Sequence, residues 1–221
     1  MSRLRALWVA HGQLVLFLCL SSLFVVYPHL ANTFVAKVSL DTIFTLSIVA
    51  SLYPRVSIKR WLNWIYGGIG VIGIITTWLA TVVPLVGNAI PYCYALFFGI
   101  GVVIHFRALL SEPDVDVDTL LGACCTYMLI GLLFASLYAV LMQWDPAGLR
   151  LTVDDGDPLY QLTYFSFITL TTVGYGDVVP VSNATRMLAA YEAIIGQVFM
   201  AIVVGMLVGK HLASRPNKRT I

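Results

Sequence analysis

Residues 171–177, TTVGYGD, decide the fold, because two glycines alternate here with larger residues between two apolar segments, residues 159–170 and 184–208. Glycine reaches backbone angles that are closed to other residues. A strand that alternates between ordinary and left-handed conformations can therefore turn successive carbonyl oxygens to the same side. Four such strands around one axis would make stacked rings of oxygens, so the stretch predicts a site built from main-chain carbonyls.

The composition is that of a polytopic membrane protein. Of the 221 residues, 59% are hydrophobic and only 11% are charged, whereas soluble domains have about 45–50% apolar and about 25% charged residues. The four cysteines lie inside apolar runs without metal-ligand spacing, and no HExxH, GxSxG or Walker-type motif occurs. We therefore expect no enzyme.

Six apolar runs are long enough to cross a membrane, so we predict an all-α membrane protein with six transmembrane helices. They cover residues 6–27, 36–53, 61–84, 90–109, 119–143 and 184–208. Trp8, Tyr138 and Trp144 are candidate interface aromatics. Ten of the 13 Lys and Arg residues would fall on the side of the two termini, which predicts that both termini are cytoplasmic.

A seventh segment begins with Asp157 as a helix cap and Pro158 in the first turn. It runs to Thr171, about 13 residues or roughly 20 Å of helix, too short for a core of about 30 Å. It predicts a re-entrant half-helix whose carboxyl end points at the membrane centre, where the helix dipole favours a cation.

TTVGYGD and its flanks resemble the selectivity filter of the tetrameric potassium channels, specifically over residues 158–208. The first four runs match that family only in number and placement. The resemblance implies that carbonyl oxygens of Thr172, Val173, Gly174 and Tyr175 bind K⁺, the permeant ion and the one expected cofactor. It also implies a homotetramer in membrane lipid, with no nucleic-acid partner.

The resemblance further implies support for this filter. Gly176, like Gly174, would allow the backbone geometry. Asp177 would accept a hydrogen bond from Tyr164, the aromatic at the matching position of the half-helix. Some bacterial relatives carry a glutamate where this chain has Ile168, so a second polar brace is not expected.

Glu192 is the one acidic residue of the last run. An intramembrane carboxylate usually has a partner. We expect a contact to Ser166, Thr169 or the filter backbone, or a protonated side chain; the alternative is a side chain that reaches the outer interface.

The last run also carries a candidate cavity and gate. Gly196 stands where relatives place a flexible glycine, although close helix packing explains it equally well. A stripe at helical spacing follows and would line the cavity and narrow the inner pore, unless it is ordinary packing: Gln197, Met200, Val204 and Val208.

Four domains are predicted: a peripheral four-helix domain at residues 1–110, an acidic cytoplasmic linker at 111–118, a pore domain at 119–210 and a basic tail at 211–221.

Voltage sensing requires several charged side chains that move through the membrane field. The fourth run has only His105 and Arg107, both near its end, so we expect no strong voltage gating. The linker, SEPDVDVD, is expected to be solvated, with its last carboxylate capping the next helix; a regulatory divalent-cation site is the alternative.

The function predicted from these residues is passive K⁺ conduction across the cell membrane, plasma or inner, by a multi-pass channel. One alternative is a non-selective monovalent cation channel, although GYG is intact. Another is the membrane subunit of a potassium uptake transporter, but such subunits carry four degenerate filter repeats in one chain, and only one occurs here.

Overall fold

The computed structural model describes residues 12–22, 24–25, 60–80, 82–112, 115–151 and 158–213. The chain is mostly helical in these ranges. In chain order the elements are α1 Gly12–Ser22, α2 Arg60–Leu79, α3 Pro84–Gly87, α4 Ile90–Ser111, α5 Val117–Trp144, β1 Leu149–Leu151, α6 Pro158–Leu170, β2 Val178–Pro180 and α7 Asn183–Ala213.

Three of the described helical segments are long and apolar enough to cross a membrane: Leu85–Ser111, Val117–Trp144 and Asn183–Lys210. They coincide with the fourth, fifth and sixth predicted runs. Two shorter apolar helices, Gly12–Ser22 and Gly67–Leu79, lie in the first and third runs. The second run, residues 36–53, lies outside the described residues, as do Trp8 and the tail from residue 214.

Helix α5 has a packed core on each side. One core joins it to α1 and α4 through Leu16, Phe97 and Leu129. The other joins it to α6 and α7 through Tyr138, Phe165 and Phe199. Tyr138 is therefore fully buried, and its prediction as an interface aromatic is wrong, because the face of α5 that carries it packs on α6 and α7. Trp144, at the end of α5, is exposed.

The start of α5 is set by Asp116, whose side chain accepts a hydrogen bond from the Thr119 amide at 2.7 Å. Capping by an acidic side chain satisfies one of the free amides of a first turn. The sequence predicted that the last carboxylate of the linker, Asp118, caps this helix. An acidic residue does cap it, but that residue is Asp116, and Asp118 already lies inside the first turn. Asp114 lies outside the described residues.

A short antiparallel sheet departs from the all-helical prediction. Strands β1 and β2 pair with Arg150 opposite Val179. The Thr185 hydroxyl, in the first turn of α7, donates to the carbonyl oxygen of Gly148 at 2.6 Å. Residues of the loop that follows α5 are thereby held against the chain that leaves residues 171–177.

Candidate functional site

Helix α6 has the 13 residues predicted for the half-helix and begins at Pro158; Asp157 lies outside the described residues. It lies close against α5 at Gly131. A Cβ atom at that position would stand 2.7 Å from the ring of Phe167, so a larger residue would require the ring or the helix to shift. The Ser166 hydroxyl contacts the Gly131 carbonyl oxygen at 2.6 Å, which fixes the rotation of α6 about its axis.

The chain after α6 has the alternating backbone predicted for TTVGYGD. The φ angles of Thr172, Gly174 and Gly176 are +60°, +52° and +81°. Gly174 and Gly176 adopt these angles without steric cost. Thr172 is β-branched, and for such a residue a positive φ is an outlier that costs free energy.

The amides of this segment turn back toward α6. The N–H groups of Val173 and Gly174 donate to the Ile168 carbonyl oxygen at 2.9 and 3.1 Å. Within the described part of the chain, no hydrogen bond is accepted by the carbonyl oxygens of Thr172, Val173, Gly174 or Tyr175. The segment is also exposed in the single chain, with 73% of Tyr175 accessible. It therefore offers main-chain oxygens that no described residue of the chain uses as acceptors.

The predicted Tyr164–Asp177 hydrogen bond is present. The Tyr164 hydroxyl donates to Oδ2 of Asp177 at 2.6 Å, and the Val178 amide donates to Oδ1 at 3.0 Å. The hydrogen bond from Tyr164 is the main reason that the pKa of Asp177 is lowered from its ordinary value. The carboxylate ties the chain leaving the segment to the middle of α6.

The last carbonyl of α6 is held at the other end of the segment. The Tyr127 hydroxyl of α5 donates to the Leu170 carbonyl oxygen at 3.1 Å. Gly196 of α7 packs against the same carbonyl, and a Cβ atom there would collide with that oxygen. Of the two interpretations of Gly196, close packing is thus confirmed, whereas flexibility stays a prediction; α7 is continuous through this residue.

Glu192 is fully buried behind α6. Its Oε1 atom contacts the Ser166 hydroxyl, and its Oε2 atom accepts a hydrogen bond from the Tyr138 hydroxyl at 2.7 Å. The predicted contact to Ser166 is confirmed, and the alternative that Glu192 reaches the outer interface is wrong. Tyr138 was not predicted as a partner of Glu192, because α5 is apolar all round and has no periodicity that assigns this residue to a buried face.

The described helices of the chain do not cover the predicted stripe on α7. Its members are exposed in the single chain: Gln197, Met200, Val204 and Val208. Met187, Tyr191, Ile194 and Ile202 of α7 are exposed as well, so the uncovered surface is wider than the stripe.

The site offers oxygen atoms of the backbone and no side-chain metal cluster. Among the described residues, no group of three or more His, Cys, Asp or Glu side chains could hold a metal ion. Rows of backbone carbonyls suit a weakly held monovalent cation that exchanges its hydration shell.

Comparison with known proteins agrees with this geometry. Residues 124–210 match the family model described as ion channel. The match covers most of α5, all of α6, residues 171–177 and most of α7, and it supports an ion-channel domain in this part of the chain. No match was found among the curated proteins or among the solved structures.

Proposed function

We propose that the chain is one of four identical subunits of a potassium-selective channel and that residues 172–175 form its selectivity filter. The observation that carries the proposal is the alternation of left-handed and ordinary residues from Thr172 to Gly176, with amides turned to Ile168 and carbonyls without partners in the described part of the chain. Such carbonyls replace the hydration shell of K⁺ when four chains face one axis.

Two surfaces support a tetramer. Val173 and Tyr175 are 52% and 73% exposed in the single chain, although they are large and apolar. The free face of α7 is apolar as well. One chain carries one filter strand, so a closed ring of oxygens requires a cyclic assembly, which is the usual symmetry of homo-oligomers.

The channel is proposed to conduct without strong voltage dependence. In α4 the cationic side chain is Arg107, four residues before the helix ends at Ser111. His105 is buried and contacts the Gly101 carbonyl oxygen at 3.0 Å. A charge at the edge of the membrane crosses little of the field, whereas a full crossing gains about 2.3 kcal/mol per 100 mV.

Reversal potentials of the reconstituted protein in mixed potassium and sodium solutions test selectivity. We expect the reversal potential to follow the potassium gradient, with an open probability that changes little with voltage. A reversal potential midway between the two gradients would favour the non-selective channel, and the absence of current with gradient-driven uptake would favour the transporter subunit.

A pair of glycine variants sharpens that test. Gly174→Ala places a Cβ atom on a residue with φ +52° and should abolish selectivity or conduction, because L-residues rarely adopt this angle. Gly205→Ala is the matched control, since a Cβ atom there meets nothing within 4 Å in the single chain. Equal selectivity in both variants would contradict the assignment of the filter.

A further inference from the structure

Glu192 connects three helices behind the proposed filter. Its carboxyl group belongs to α7, contacts Ser166 of α6 and accepts from Tyr138 of α5. The Ser166 hydroxyl in turn contacts the Gly131 carbonyl oxygen of α5 at 2.6 Å. All the side chains in this chain of contacts are buried, and Glu192 and Ser166 are fully inaccessible.

The number of protons available in these contacts determines which oxygen donates and which accepts in each hydrogen bond. Ser166 has one hydroxyl proton, yet its oxygen lies within hydrogen-bond distance of both the Gly131 carbonyl and Oε1 of Glu192. If Glu192 were ionised, these two neighbours would both be acceptors, and one short oxygen–oxygen contact would have no proton. A protonated Oε1 donates to Ser166, Ser166 donates to Gly131, and Tyr138 donates to Oε2, so that every contact has a donor.

The surroundings also disfavour a charge. The polar partners of Glu192 among the described residues are the hydroxyls of Ser166 and Tyr138. Tyr127 of α5 is a further titratable group near Glu192, and a tyrosine side chain provides no positive charge in either protonation state. A buried carboxylate without a cationic partner is costly, and in practice such a group takes up a proton.

We propose that Glu192 is a neutral carboxylic acid and acts as a positioning residue that fixes α6 between α5 and α7. This inference rests on the proposed filter for its functional meaning, since α6 carries Tyr164 and the Ile168 carbonyl that hold residues 173–177. The neutral acid serves as both donor and acceptor, and glutamine is the one standard side chain of similar shape with the same two capacities.

Infrared spectroscopy of the full-length protein in lipid at neutral pH tests the protonation state independently of conduction. We expect a carbonyl-stretch band of a neutral carboxylic acid that disappears in Glu192→Gln. The band should persist in Glu112→Gln, the control at the end of α4, and shift to higher frequency in Tyr138→Phe, which removes the hydrogen bond to Oε2. A spectrum without the band, or a band that survives Glu192→Gln, would overturn the proposal.

Channel recordings test the positioning role with the same variants. Glu192→Gln should keep open-state lifetimes within about twofold of the parent protein, whereas Glu192→Leu should shorten them by about tenfold or more, the expected effect of losing buried hydrogen bonds. Similar losses in both variants would show that the charge matters and would overturn the neutral acid. If the parent protein showed no K⁺ selectivity, the proposed function would be contradicted, whereas the infrared test of the protonation state of Glu192 would remain valid.

Discussion

At the scale of single residues, the Tyr164 hydroxyl links the middle of α6 to Asp177 just beyond the proposed filter. The hydrogen bond is charge-assisted, which makes it stronger than a neutral one. It joins residues 13 positions apart and spans the whole proposed filter. The backbone between them cannot relax without breaking this contact or shifting α6.

Tyr164→Phe should therefore destabilise the conducting filter. We expect a several-fold faster decay of current during sustained activity, with unchanged unitary conductance while the pore is open. The decay rate in reconstituted membranes measures this. Tyr191→Phe, on an exposed residue of α7, is the matched control; equal decay rates in the two variants would mean that the hydroxyl of Tyr164 does not support the filter.

Lowering the pH on the side of the membrane that Asp177 faces should speed inactivation by weakening the hydrogen bond between Tyr164 and Asp177. The pKa of Asp177 lies below its ordinary value of 3.8. A lowered pKa means that the bond stabilises the folded filter above the ordinary pKa and that this contribution is lost as the pH falls through the lowered value. We expect stable currents down to about pH 4 and faster inactivation below it. In Tyr164→Phe this onset should move up in pH, and an identical onset in both proteins would refute the linkage.

At the scale of elements, α6 is held by two glycine contacts. Gly131 lets the Phe167 ring lie against α5, and Gly196 lets the Leu170 carbonyl lie against α7. In each contact an added Cβ atom would clash with its neighbour, so a larger residue would require the ring or the helix to shift. Because the last carbonyl of α6 precedes residues 171–177 directly, we expect the position of α7 to affect where the proposed filter begins.

Gly196→Ala should push α7 away from Leu170. Overpacking of a tight contact costs about 1–3 kcal/mol, so we expect a lower thermal unfolding temperature of the protein in detergent and reduced conduction. Gly205→Ala lies on the same helix without a neighbour within 4 Å in the single chain and should be close to neutral. A neutral Gly196→Ala would contradict the packing role.

The sequence predicted elements better than their contacts. Run lengths predicted α4, α5, α6 and α7 because a helix must cross the membrane or fall short of it. The spacing of Tyr164 and Asp177 predicted their bond only through the resemblance. Tyr138 could not be assigned to a buried face, because α5 is apolar all round and has no periodicity to orient it. The positive φ of Thr172 could not be predicted, because glycine is the residue that marks such an angle in a sequence and this position is a threonine. The pairing of β1 with β2 could not be predicted either, because it depends on where the chain goes after α6.

At the scale of the whole molecule, the proposed pore is attached to the peripheral helices at the end opposite to the sheet. The Lys210 ammonium near the end of α7 donates to the carbonyl oxygens of Leu110 and Glu112. The ends of α4 and α7 therefore lie on the same side, as the alternating topology predicts. We expect Lys210 to couple a movement of α7 at the proposed gate to the residues that follow α4.

The central claim is that four copies of residues 172–175 bind dehydrated K⁺ through main-chain oxygens. The most direct measurement is an experimental structure of the assembled protein in the presence of thallium or rubidium, whose density marks potassium sites. The account predicts a fourfold assembly with a column of ion density on its axis, between the Thr172 hydroxyl and the Tyr175 carbonyl. A single protomer, or carbonyls of Val173 and Tyr175 that point away from a shared axis, would contradict it.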